Sequence, residues 1–430
     1  MIDDFRPAPS RPKSLPVDPK PELPQRQTSS PEDFQTPEQV AVTQPPAAPI
    51  RTTDIDMELP GETQPTASKP FLKRLALHWP PHKKEWIVGG VLVLLLASGT
   101  GSWLLLHHSP KSVAAAPVVH KVVKSKVVQP TTVASNLSGL PVDPTANQRP
   151  VTAVMVENSD AARPQAGLSQ AGVVFEAVAE GGVTRFMALY QDSQPTNVGP
   201  IRSARSYYVQ WELGFQAGYA HVGGSPDALS DIKAWNVRDL NQFYNGGSYH
   251  RITTREAPHN VYTGIPTLEQ LETTKGYTSS TFTSWPRKKD SAAKVPAAKT
   301  ISMSLSGPDY NPTFTYSPTS NSYNRAEGGA PETDANTGAQ LSPKVVIAIV
   351  VPESQGQLDS SGAYYSNYNP IGTGKAYVFE DGNVTIGQWT KNDNATQIVF
   401  TGSNEQPIKL NAGQTWITAI TSATNVTYKP

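Results

Sequence analysis

The chain has 430 residues, room for two or three domains at roughly 100–200 residues each. Its 36 Lys and Arg balance 36 Asp and Glu, which excludes the basic excess of a generic nucleic-acid binder. Cysteine is absent, so disulfides, Cys-ligated zinc, thiol nucleophiles and Cys-linked lipids are excluded, and 40 prolines point to a non-globular part.

Residues 1–70 hold 15 of those prolines and only two aromatics, Phe5 and Phe34. Such a segment buries too little apolar surface to offset chain entropy, so it reads as a disordered cytoplasmic tail. Its PxxP spacings fit either a solvated tail or a ligand for a Pro-binding module. A basic juxtamembrane segment, 71–85, precedes 21 uncharged residues, 86–106 (WIVGGVLVLLLASGTGSWLLL). That run is long enough for a hydrocarbon core of about 30 Å and carries Trp86 and Trp103 near its ends. It predicts one transmembrane helix with the N-terminus cytoplasmic and the bulk of the chain extracytoplasmic. Residues 107–136, with four Lys and no acid, read as a stalk.

The first outer segment, 137–280, alternates strands and helices. An apolar run at 151–157 (VTAVMVE) predicts a strand. Residues 173–180 and 184–190 flank Gly181-Gly182 and predict a hairpin. A helix is expected over 203–216, where Tyr207, Trp211 and Phe215 are spaced four apart. A second helix starts at Ser225-Pro226-Asp227, and a third covers 267–274. Residues 281–300 read as a linker. The remainder, 301–430, is strand-rich (ISMSLS, TFTY, KVVIAIVV, KAYVFEDGNVTIGQW, TQIVF, TWITAI). The expected fold class is α+β: the tail, one transmembrane helix, an extracytoplasmic α/β domain, then a mostly antiparallel β domain.

Catalytic signatures are missing. Gly372-Thr-Gly374-Lys375 fails as a phosphate loop, because Asn369 and Ala376 stand where Gly and Ser or Thr are required. Ser-x-x-Lys occurs at Ser230/Lys233 and Ser291/Lys294, but no K-[ST]-G strand accompanies it. The catalytic residues therefore stay unassigned, and no metal or cofactor is expected.

The arginines carry more information. VGPIRSAR puts Arg202 and Arg205 at a helix start, where cations oppose the helix dipole unless an anion is bound there. Arg163, Arg185, Arg251, Arg255 and His259 are further candidates for that anion site. Glu157, Glu176, Glu180 and Asp227 are the acidic candidates. Two readings fit: an anion site, or a buried Glu–Arg network that fixes the fold. His221-Val-Gly-Gly-Ser225 reads as a strand, a turn and a helix cap.

Five motifs in order, GLPVDPTANQRPVTAVMVENS, ARPQAGLSQAGVVFEAVAEGGVTRF, VGPIRSAR, HVGGSPDAL and APHNVYT, resemble the YerB-like bacterial lipoprotein family. The resemblance continues through YNRAEGG, GTGKAYVFEDG and AGQTWI and covers about 137–430. It implies a YerB-like N-terminal α/β domain, 137–280, and a YerB-like C-terminal β-rich domain, 301–430, both of unknown function, in a bacterial cell envelope. It also implies candidate positions at Glu157, Arg163, Glu176, Glu180, Arg185, Arg202, Arg205, Asp227 and His259. Two departures stand out: relatives are lipid-anchored through a cysteine this chain lacks, and their Pro-His pair is Pro331-Glu332 here.

The expected protein is a membrane-anchored, single-pass envelope protein that binds an anionic wall polymer or an envelope protein partner, and no nucleic acid. An enzyme acting on phosphorylated or lipid-linked glycan precursors, and a structural scaffold, are the alternatives.

Overall fold

Some strands here are apolar on both sides and therefore need cover on both faces. In the computed structural model, which describes residues 131–359 and 361–430, these strands form the middle of one large sheet. Strand β1 is Thr152–Glu157, β2 Val173–Glu180, β3 Val183–Tyr190 and β4 Gly218–Ala220. From the second segment come β5 (Thr300–Met303), β6 (Thr313–Ser317), β7 (Ser322–Glu327) and β8 (Val345–Val350). Strands β9 (Gly372–Glu380), β10 (Asn383–Lys391), β11 (Val399–Gly402), β12 (Thr415–Ile420) and β13 (Val426–Lys429) follow, and the hairpin of Glu353–Leu358 and Tyr364–Tyr368 and several two-residue strands are left unnumbered.

The large sheet runs β11-β10-β9-β8-β12-β2-β3-β1-β4, ending on Arg238–Asp239. Its centre is the non-local part. Strand β12 lies parallel to β8 on one side and parallel to β2 on the other, with Thr418 opposite Glu176. Strands β2 and β3 pair antiparallel through the Gly181-Gly182 turn, whose φ values of +56° and +82° suit glycine. Over one face pack Phe175, Met187, Ile347 and Ile417 with Tyr207, Trp211 and Phe215. Phe175 stacks on Trp211 with centroids 5.2 Å apart. Over the other, Phe186, Ala188 and Trp416 pack against Ile301, Phe314 and Tyr323 of a smaller antiparallel sheet, β7-β6-β5-β13.

Three α-helices occur among the described residues: α1 Ser206–Leu213, α2 Pro226–Ala234 and α3 Ile265–Thr274. Ser225 caps α2 by accepting from the Ala228 N–H at 3.4 Å, with Pro226 in the first turn.

The fold therefore departs from the α+β expectation. It is mostly β with a few short helices, and the two segments share one sheet rather than forming an α/β domain followed by a β domain. The physical reason is β12. Trp416 and Ile417 point to opposite faces and both are fully buried, so TWITAI needs cover on both sides and finds it between β8 and β2. The expected linker also packs. Trp285 is buried and donates from Nε1 to the Ile398 carbonyl at 2.8 Å, while Arg287–Lys288 pairs with Leu410–Asn411. The expected transmembrane helix is unsupported as well: among the described residues no helix is long and apolar enough to cross a membrane. The 86–106 run, the tail, the basic segment and residues 107–130 of the stalk lie outside the described residues.

Where α3 crosses β4, a Cβ on Gly218 would lie 1.9 Å from Glu272 Oε1, so glycine lets this carboxyl in. Glu272 is fully buried, accepts from the Thr152 hydroxyl at 3.0 Å, and is pushed by burial to about 8 from 4.5. Between those values the unfolded chain has lost a proton that the folded state keeps. The stability from neutral Glu272 is complete below 4.5 and lost as pH rises through about 8. Burial raises Glu212 in α1 likewise, to about 8. Glu272→Gln is expected to remove part of the fall in Tm between those pH values, with Glu212, Glu327 and the other buried carboxyls raised by burial, Glu332 and Glu380, contributing to the remainder. Thermal melts across that range check it.

Candidate functional site

Strand β1 ends at Glu157, whose Cα stands opposite Arg185 of β3 in register. Glu157 Oε1 is shared by three groups. The Ser159 hydroxyl donates to it at 2.8 Å, His259 Nδ1 lies 2.9 Å away, and Arg202 Nε lies 3.5 Å away. A carboxylate can only accept, so Nδ1 carries the proton and Nε2 of a neutral His259 is an acceptor. Arg202 arrives on the 198–205 segment, whose backbone bridges to β1 through Val156 and Ile201. The side chains of Arg202 and His259 are about a quarter exposed, at 24% and 26%. Arg202 Nε and Glu157 Oε2 are buried without a hydrogen-bond partner.

Beside this group, Glu180 closes a tighter one. Arg185 and Arg205 each donate to one of its oxygens. Arg185 also donates to the Ser203 carbonyl at 2.9 Å, and the Arg205 guanidinium lies 4.6 Å from the Tyr365 ring centroid. Burial alone would raise the Glu180 carboxyl, but the two guanidiniums over-compensate and hold it below its ordinary value. Arg202 and Arg205 are lowered, first by burial and then, against the pull of the carboxylates, by neighbouring Arg185. Three guanidiniums thus stand against two carboxylates, and Arg202 is the least compensated.

The remaining candidates lie elsewhere. Glu176 faces the opposite side of the sheet, where Arg325 grips it bidentately at 2.8 and 3.1 Å. Trp416 Nε1 and the Thr418 hydroxyl donate to the same Glu176 oxygen, at 2.8 and 3.1 Å. Arg325 also pairs with Glu332 and, at 3.1 Å, with Glu327. Arg163 joins Glu327 at 3.2 Å and Asp160 at 3.3 Å. Arg255 donates to the carbonyls of Ala162 and Pro164, and Arg251 to Asn260 Oδ1. Asp227 is exposed in the first turn of α2, without a side-chain hydrogen bond or ion pair among the described residues. His221 is fully buried between the Gly223 carbonyl and Asp239, a structural role.

Arg325, Glu327 and Glu332 are not among the candidate site residues read from the sequence, although Glu332 stands where the resemblance implies the His of a Pro-His pair. The signal was the alternation of β7. In SYNRAE, Tyr323, Arg325 and Glu327 share the buried face, so two charges point inward. Among the described residues no group of three or more His, Cys, Asp or Glu is placed to hold a metal ion.

Fold and site define a mostly β protein whose two segments close over buried Arg–Glu networks, with one partly exposed Arg–His–Glu edge. Comparison with known proteins gives the family. Residues 137–278 match the protein of unknown function (DUF3048) N-terminal domain, and residues 301–417 match its C-terminal domain. The chain is 31% identical to "Putative lipoprotein YerB" of Bacillus subtilis (strain 168) over 289 residues, covering 66% of this chain and 85% of the relative. The crystal structure of YerB from Bacillus subtilis superposes with a TM-score of 0.62 at 27% identity, covering 70% of this chain and all of that one. The chain belongs to this YerB-like, DUF3048 family.

Arg325→Met would leave Glu176, Glu327 and Glu332 buried around an apolar side chain. We expect a loss of about 3–5 kcal/mol, the usual cost of removing one partner of a buried pair. Glu176→Gln added to it should recover part of that loss, by removing one stranded charge. Chemical denaturation of the single and double variants measures both.

Proposed function

We propose that this chain is an extracytoplasmic envelope protein that binds an anionic component of the envelope, a wall polymer or a lipid-linked precursor. The setting follows from the relative described as a lipoprotein. One observation carries the binding: Arg202 is mostly buried, shares its single carboxylate oxygen with His259 and Ser159, and has no hydrogen-bond partner at Nε. A ligand phosphate or carboxylate would supply the missing charge and accept from the guanidinium. Arg185 and Arg205 are already occupied by Glu180 and act as its scaffold.

The test titrates the full-length chain with purified wall-polymer and lipid-linked precursor fractions. Arg202→Ala should weaken binding about tenfold or more, the value of one charge-assisted hydrogen bond. The fold should survive the change, because Glu157 keeps Ser159 and His259 as partners. Added salt should weaken binding by the native chain. Failure of the native chain to bind either fraction would overturn the proposal.

The Glu157–His259 pair favours one second reading, an enzyme acting on phosphorylated or lipid-linked glycan precursors. A carboxylate on Nδ1 orients the ring and leaves Nε2 as the acceptor, the arrangement a general base uses. Product release from such precursors that is lost in His259→Ala, while binding persists, would select it.

A further inference from the structure

The hairpin of Glu353–Leu358 and Tyr364–Tyr368 joins β2 through one bridge, Tyr365 opposite Glu180. Between this hairpin, the Gly181-Gly182 turn and Leu305-Ser306 lies an open cavity of about 730 Å³. Small-molecule sites ordinarily enclose about 300–1,000 Å³. The cavity shares no lining residue with the Arg202–His259–Glu157 edge.

Three features of its lining point to a ligand class. Two tyrosine rings border it. Tyr364 is 48% exposed, an unusual position for a large aromatic, and Tyr365 is backed by the Arg205 guanidinium that Glu180 holds. Hydrogen-bonding groups stand free beside the rings. Ser354, Gln355 and Ser366 make no side-chain hydrogen bond among the described residues, and neither tyrosine hydroxyl does. Ser366 is the telling one, because it is only 9% exposed and a buried hydroxyl is ordinarily paired. Charge is nearly missing: Glu353 is the one ionisable acid and no Lys, Arg or His lines the cavity. An anion therefore finds no counter-charge here, and a purely apolar ligand would leave the hydroxyls and the amide unpaired.

We propose that this cavity binds an uncharged oligosaccharide, with one pyranose ring laid against Tyr364 and its hydroxyls bonded by Gln355, Ser354 and Ser366. A sugar ring presents polarised C–H groups on its face and hydroxyls at its rim. The first suit the negative face of an aromatic ring, and the second suit the free donors and acceptors around it. Tyrosine provides this surface at low entropic cost, since two torsions fix it. The competing occupant is an extended peptide. Among the described residues Glu353–Leu358 pairs only with Tyr364–Tyr368, so its other edge is open to a strand. A peptide added there would be held by main-chain hydrogen bonds and would not need the Tyr364 ring.

The experiment is titration calorimetry on the full-length chain at low and high salt. The probes are the N-acetylglucosamine trimer, maltotriose, sorbitol and tetra-alanine. We expect saturable binding of at least one trisaccharide, unchanged by salt because the ligand is uncharged, and none of sorbitol, which has the hydroxyls without a ring face. Tyr364→Ala should weaken binding about tenfold and Tyr364→Phe should keep most of it, as stacking requires. Gln355→Ala should weaken it about threefold, the value of one hydrogen bond. Both side chains are exposed, so an unchanged Tm verifies the fold of each variant. Arg202→Ala should leave sugar binding intact, so this site and the anion edge fail independently. No saturable binding of either trisaccharide, equal binding of sorbitol, binding of tetra-alanine in place of the sugars, sugar binding that survives Tyr364→Ala, or sugar binding lost in Arg202→Ala would each overturn the proposal.

Discussion

The Arg325 guanidinium is the contact on which the shared sheet depends. It projects from β7 of the small sheet, is fully buried, and grips Glu176 in the middle of β2. Trp416 of β12 covers it with its ring at 4.5 Å and donates to the same carboxylate. One ion pair therefore fixes three elements that are far apart in sequence: a strand from each segment in the large sheet and one in the small sheet. A carboxylate on the face of a central strand is unstable alone. Its presence demands that the small sheet be docked in one register. The pair contributes less to net stability than to the choice of one packing.

The same logic separates the charges that hold the fold from those free to act. Glu180 takes two guanidiniums and lies below its ordinary pKa, so it has no capacity for a ligand. Glu157 is contacted through only one of its oxygens, by three neighbours. The two arrangements adjoin because Glu157 and Arg185 are cross-strand partners at the end of β1 and β3. Saturation on one side leaves Arg202 with little counter-charge on the other.

Local chemistry was legible in the sequence. The Gly-Gly turn, the Ser-Pro-Asp helix start and the apolar runs mark their elements by short-range rules, and those elements form. The sheet order was not legible. Parallel pairing of TWITAI with VVFEAVAE joins residues more than two hundred positions apart, and no turn chemistry announces it. The short helices then looked like parts of an α/β domain, although each merely caps a sheet face or edge. For the site, helix-dipole reasoning reached Arg202, and the APHN motif reached His259. It could not distinguish them from Arg185, Arg205 and Arg255, because exposure and saturation are set by tertiary neighbours. Arg325 was hidden for the opposite reason: its meaning lies in facing inward, which depends on which sheet β7 covers.

Asn158 shows how closely the two unbalanced regions are tied. It sits between Glu157 and Ser159 in the chain, and its own side chain turns toward the acid-rich network around Arg325. There it donates to Glu327 at 2.9 Å and accepts from Arg163 at 3.1 Å and from Gln165 at 2.7 Å. Three consecutive residues thus divide their side chains between a cation-rich edge and that network. The residue between the two regions, Asn158, is fully buried. In the low dielectric of that position, opposite imbalances separated by so little protein stabilise each other. The Coulomb energy between them is therefore larger than it would be across water.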